Sequence, residues 1–195
     1  MSVACSLSAR TITVAALLAA AAAQTPTTQD LVPEIASAIA PGSDPITGGP
    51  GGLWACGANY KVSLHDGLVY YPYVGGTLPH QPVRWTTTGV RLGGELLLTA
   101  PSQPMPRWSD FRCEYDFGAI VERYDIRTDG VEQSFVIAEP ATGAKNGDLV
   151  VEGRVTMPLL LPSQGYRNGA LQLRLVDGRA VVEYGAAKAI GAAGR

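Results

Sequence analysis

From Trp54 onward, apolar and polar side chains alternate with a period of two, and no other feature of the sequence limits the fold as strongly. In FRCEYDF, Phe111, Cys113, Tyr115 and Phe117 share one side of an extended strand, and Arg112, Glu114 and Asp116 share the other, because successive strand residues point to opposite faces. Tyr60, Val62 and Leu64 alternate with polar residues in the same way. Between such runs stand Asp66-Gly67, Gly93-Gly94, Asp129-Gly130 and Asp177-Gly178, pairs that accept the positive φ of hairpin turns. Leu68 to Val74 reads as the return strand of the first hairpin. Pro72 inside it points to an edge strand or a bulge, since proline cannot donate to a ladder. GVRLGGELLLT, IVERYDIR, VEQSFVIA, GDLVVEGRVTM, ALQLRLV and RAVVEYG bring the set to about nine to eleven short strands. No long segment after Trp54 has helical periodicity, which excludes alternating βαβ units. The arrangement that buries such strands is all-β: an antiparallel β-sandwich, or a partly closed barrel.

Two segments precede this domain, which spans residues 53–195. The chain opens MSVACSLSAR, with Arg10 as its sole charged side chain, and continues as an apolar run from Ile12 to Ala23. A basic start, an apolar run of about a dozen residues and small residues at Ala21 and Ala23 make residues 1–23 a cleavable signal peptide, with Gln24 as the mature start. A helix of that length covers ~18 Å, short of the ~30 Å hydrocarbon core. Cys5 lies ahead of the run, where a lipoprotein signal would need it after. The expected destination is outside the cell, in the periplasm or at the cell surface, with no membrane span after cleavage. Residues 24–52 are rich in Thr, Pro and Gly and read as a linker. It holds one short helix, capped by Asp30, with Leu31, Ile35 and Ile39 on one face and Pro41-Gly42 ending it.

Charge narrows the partners. Lys plus Arg is 15 and Asp plus Glu is 17, giving a net charge of −2, so the chain has no electrostatic footprint for nucleic acid. Cleavage removes Cys5 and leaves Cys56 and Cys113 in an oxidising space, where a pair usually bonds. Closing a loop of that length is worth ~4 kcal/mol; the alternative is two buried free thiols. No cysteine or histidine spacing suits structural zinc. Calcium would need a site assembled from Asp44, Asp129, Asp148 and Asp177, each beside a turn but never in a D-x-D-x-D run.

Chemistry-bearing residues are sparse. Glu114 and Asp116 share a strand face with Cα atoms ~7 Å apart, within the ~5–9.5 Å carboxyl separations of glycosidases. Arg112 beside them instead favours a solvated face. Glu122, Asp125 and Asp129 read the same way, as a strand edge followed by a turn. His65 and His80 fall in turn-rich stretches, and no G-x-S-x-G elbow accompanies them. Aromatic residues offer the better ligand argument. Tyr71 and Tyr73 share a face, Tyr70 points the other way, and Trp108 stands just before a strand where exposure is expected. An exposed row of such rings can stack on sugars, so Trp108, Tyr71 and Tyr73 are the candidate ligand-binding residues. Core packing is the competing role for rings of this kind.

The strings CGANYKVSLHDGLVYYP, ERYDIRTDGVEQSFVI, GDLVVEGRV and LVDGRAVVEYGAAKAIGAAGR, in that order, resemble the N-terminal β-rich region of large secreted bacterial proteins in which FG-GAP/VCBS (integrin-α-like) or other β-propeller repeats come next. The resemblance implies a non-catalytic module without catalytic residues to carry over. In that group the chain continues beyond the position matching Arg195, so it implies a stand-alone copy or the N-terminal part of a larger protein. The expected function is an exported, non-enzymatic structural or interaction module that needs no cofactor. Its expected partners are a surface polysaccharide or other secreted proteins. A carbohydrate-binding module is the alternative, and a secreted glycosidase-like hydrolase the third reading.

Overall fold

The computed structural model describes residues 2–8, 13–19, 37–44, 48–49, 51–76, 78–99, 104–137, 148–161 and 169–190. Among these residues there is no helix. The strands are β1 (Ser2–Ser8), β2 (Thr13–Ala19), β3 (Ala40–Gly42), β4 (Gly52–Cys56), β5 (Tyr60–Ser63), β6 (Leu68–Pro72), β7 (Val83–Leu92) and β8 (Glu95–Thr99). They continue as β9 (Arg107–Ser109), β10 (Arg112–Asp116), β11 (Ile120–Ile126), β12 (Gly130–Ile137), β13 (Asp148–Thr156), β14 (Leu171–Arg174), β15 (Ala180–Tyr184) and β16 (Lys188–Ile190). One sheet runs β3-β4-β5-β6-β7-β13-β1, with β8 also on β7. The other runs β9-β10-β11-β12-β2-β15-β14, with β16 also on β2. Neither order closes on itself, so the all-β reading holds as two packed antiparallel sheets and not as a barrel. The described strands outnumber the expected set, because β1 and β2 fall in the stretch read as a signal peptide and short pieces such as β3, β9 and β16 carry too few residues to show a period.

Turn chemistry drives the meanders. Gly93 and Gly94 both have positive φ, 57° and 83°, the conformation that a two-residue hairpin matching the sheet twist requires. The β11–β12 reversal closes with the Arg127 amide donating to the Gly130 carbonyl at 2.9 Å. Pro72 departs from expectation: β6 is an interior strand between β5 and β7. The proline is tolerated because it is the last residue of β6, and the next amide, Tyr73, donates to the Asn59 carbonyl at 2.9 Å. Phe111 also departs. Asp110 turns in the left-handed region, φ 36°, so Phe111 belongs to the β9–β10 turn and is 43% exposed, while Cys113 and Tyr115 face the core as the alternation predicts. The expected helix falls mostly outside the described residues; Ile39, its last apolar position, is buried just ahead of β3. Two stretches of the segment expected to be a signal peptide are the strands β1 and β2.

One apolar cluster joins the sheets, with Val62, Leu68, Val90, Val131 and Val182 fully buried. Each such side chain contributes roughly 1.5–3 kcal/mol over exposure. Two tyrosines cross the layer in opposite directions. Tyr60 of β5 donates its hydroxyl to the Arg127 and Gly130 carbonyls of the β11–β12 turn. Tyr115 of β10 donates to the Leu64 carbonyl at the β5–β6 turn. Trp85 of β7 stacks on Tyr184 of β15, with centroids 5.8 Å apart. Gly153, at a bulge in β13, makes the room: a Cβ there would lie 2.1 Å from the Trp85 ring.

Candidate functional site

The outer face of β4–β7 carries a cleft. Strand register sets its floor. Pairing of Trp54 with Ser63, Ser63 with Val69 and Val69 with Arg84 lays down one row. Pairing of Cys56 with Lys61 and Lys61 with Tyr71 lays down the next. These positions alternate with Ala55, Val62 and Tyr70, which are committed to the core. Residues outside these rows border the floor: Asp44, Gly49 and Gly51, His65 and Asp66 of the β5–β6 turn, and His80. Together they enclose a cavity of about 330 Å³, lined by Trp54, Tyr71 and His80, by Lys61 and Asp44, and by Ser63, His65, Asp66, Val69 and Arg84.

Rings form one wall. Trp54 and Tyr71 lie 6.0 Å apart at 34°, and His80 meets Tyr71 edge-on at 6.2 Å. Lys61 Nζ sits 5.4 Å from the Tyr71 ring centroid, within cation–π range. The Lys61 ammonium donates to Asp44 Oδ2 at 2.5 Å, and both residues are buried, 2% and 6% exposed. A charge is buried only when paired, and the segment that brings Asp44 over β5 supplies the partner. The Asp44 carbonyl also accepts from the Gly48 amide at 2.9 Å. On the opposite rim, Arg84 donates to the Asp66 carbonyl at 3.2 Å, with the Asp66 carboxylate 3.9 Å away. The two acids of the lining are thus matched by its two strong bases. The cleft offers aromatic faces and fixed polar groups without a net charge while the histidines are neutral.

Of the three candidate ligand-binding residues, only Tyr71 belongs to this cleft. Tyr73 lies past the end of β6, exposed and outside the lining. Trp108 is 45% exposed as expected, but it stands on β9 of the other sheet. Trp54, His65, His80 and the Lys61–Asp44 pair were not singled out as a group by sequence, since they come from four separate stretches and only the fold unites them.

The carboxylates expected on a solvated face behave so on β10. Glu114 accepts from Arg123 at 2.8 Å and Asp116 from Arg107 at 3.0 Å. Glu122 does not. It is 1% exposed, and its Oε1 accepts from Thr87 at 2.8 Å, Tyr124 at 2.5 Å and Gln133 at 2.7 Å. Among the described residues Oε2 has no hydrogen-bond partner. Burial pushes the Glu122 carboxyl above its usual range, against the pull of its donors. Its alternation explains the correction: Ile120, Glu122, Tyr124 and Ile126 have one parity, and all four are buried. The cluster lies between the sheets, so it is a structural network.

The expected Cys56–Cys113 bond is not formed in this structure; both are free thiols. Cys56 ends β4 with its Sγ 3.1 Å from Ser37 Oγ. Cys113 faces the core of the other sheet, where burial pushes its thiol up to about 12, an unreactive setting. Among the described residues no three His, Cys, Asp or Glu side chains converge as a metal site. Asp44, one of the calcium candidates, is bound to Lys61, and Asp177, another, accepts from Arg179 at 2.9 Å. Comparison with protein-family models, with curated proteins and with solved structures found no match.

Proposed function

We propose that this chain is an exported, non-catalytic β-sandwich module that binds carbohydrate in the cleft over β4–β7. One observation carries the reading: Trp54, Tyr71 and His80 form a wall of a single cavity whose neighbouring charges are already paired with one another. Aromatic faces suit the C–H surfaces of a sugar ring, and fixed polar groups beside them suit its hydroxyls. Matched charges favour an uncharged ligand over a phosphate or a polyanion. A cavity of about 330 Å³ lies at the small end of ligand sites and fits one ring rather than a threaded chain. The export half of the reading rests on the signal-peptide pattern of residues 1–23. The resemblance to secreted repeat proteins favours a module that works beside other domains, at a cell surface or outside the cell. A hydrolase is disfavoured because Glu114 and Asp116, its best carboxylates, are held by arginines away from the cleft.

The test is a glycan array followed by calorimetry with the sugar that binds. Tyr71→Ala and Trp54→Phe should each weaken binding, the former by tenfold or more, since buried aromatic rings are frequent anchors of binding energy. Trp108→Ala should leave the affinity unchanged. Retention of no glycan, or a loss in Trp108→Ala equal to that in Tyr71→Ala, overturns the proposal.

A further inference from the structure

β2 is an interior strand. It pairs with β12 along all seven of its residues, from Thr13 opposite Val136 to Ala19 opposite Gly130. Its other edge carries β15 at Leu18 and Ala19, and β16 from Thr13 to Ala15. Yet β2 lies wholly within residues 1–23, the segment that export would remove, and the inference rests on the proposed export of this chain. Side chains hold β12 and β15 at their spacing independently of β2. The Tyr184 hydroxyl of β15 donates to Gln133 Oε1 of β12 at 2.8 Å, and its ring stacks on Trp85 of the facing sheet. Processing therefore opens a gap one strand wide, with a ladder edge on either side. Such an edge is a template for another strand, and here two edges face each other.

The geometry points to a strand-acceptor slot: the processed chain takes up an extended, uncharged segment of another polypeptide, antiparallel to β12, in the place that Thr13–Ala19 occupies. The chemistry of the occupant is read from the strand seated there, TVAALLA: small and aliphatic residues, no charge, no proline. A charge inserted beside Gln133 and Ser134, both buried, would lose its water. Main-chain hydrogen bonds on both sides supply the affinity, as in other strand-addition complexes.

The experiment expresses the full chain with export and measures the mass of the mature protein. Amide hydrogen exchange is then followed with and without a synthetic peptide of residues 12–20, and with the same peptide carrying Ala16→Pro. The expected result is a chain beginning at Gln24 whose β12 and β15 amides exchange about a hundredfold more slowly at a peptide concentration of ~100 Kd, with no effect of the proline peptide. A chain that retains residues 1–23 overturns the processing reading and the slot with it. A chain beginning at Gln24 that gains no protection from the peptide overturns the slot and leaves the export reading standing. A dimer already protected at β12 without peptide assigns the slot to a second copy and overturns the partner-strand assignment. None of these outcomes bears on sugar binding at the cleft.

Discussion

The two sheets share a plan and differ on their outer faces. Both are antiparallel and contain a meander, β3–β7 in one and β9–β12 in the other, and their inward side chains meet in one core. On the second sheet the outer face is a grid of cross-strand ion pairs: Arg112 with Asp125 at 2.6 Å and Arg123 with Glu114 at 2.8 Å, each directly opposite in register. Arg107–Asp116 and Arg127–Glu132 extend the grid. Nothing in it is deeply buried, and charge compensation there simply finishes a surface. On the first sheet a similar pair, Lys61–Asp44, is buried and lines a cavity. The strands of the two sheets are alike; what makes a site of one face is that Asp44, Gly49, Gly51 and His80 reach it from outside the strands. Compensation of charge is therefore uninformative about function until the space beside it is known.

Three tests break or sharpen this contrast. The largest effect belongs to Lys61→Met, which removes the ammonium from the buried Lys61–Asp44 pair. Removing one partner of a buried pair costs about 3–5 kcal/mol, and urea denaturation should show it; adding Asp44→Leu should restore much of the loss. If Lys61→Met costs no more than a surface pair, the two outer faces are energetically the same and the contrast fails.

A second test concerns the interior that both sheets share. The folded-state pKa of Glu122 lies above its ordinary 4.5, so between those two values the folded chain holds a proton that the unfolded chain has released. Stability is then full below the unfolded pKa and falls as pH rises above 4.5 toward the folded value, at a slope approaching ~1.4 kcal/mol per pH unit. Denaturation from acid to neutral pH should show that decline, and Glu122→Gln should remove it. A variant with the same slope as the parent would assign the decline elsewhere. The smallest effect belongs to Glu114→Gln on the grid, at most ~1 kcal/mol. A melting curve that moves much further would mean the grid is more than surface finish.

Much of this architecture was legible in the residues. FRCEYDF correctly sent Cys113 and Tyr115 inward, and the Asp-Gly and Gly-Gly pairs fell at reversals. Phe111 failed because alternation holds only inside a strand, and Asp110 bends the chain before the strand begins. Glu122 was legible too: it shares the parity of Ile120, Tyr124 and Ile126, and at this position period outweighs charge. The cleft was a different matter. Lys61 has the parity of an outward residue and occupies an outward position, yet it is buried, paired with Asp44 from another part of the chain. No local pattern encodes that pairing. The same holds for His65 and His80, which look like ordinary turn histidines until the fold sets them around one space.

Tyr115 ties these regions together. Its hydroxyl crosses from β10 to the Leu64 carbonyl, next to His65 and Asp66 on the rim of the cleft. Part of the rim is thus suspended from the opposite sheet, on a phenol packed edge-on against Tyr124. The cleft can therefore be reshaped from behind: a change at Tyr115 or its neighbours resets the height of the rim while every residue that lines the cavity stays the same, and under the proposed function that retunes ligand preference.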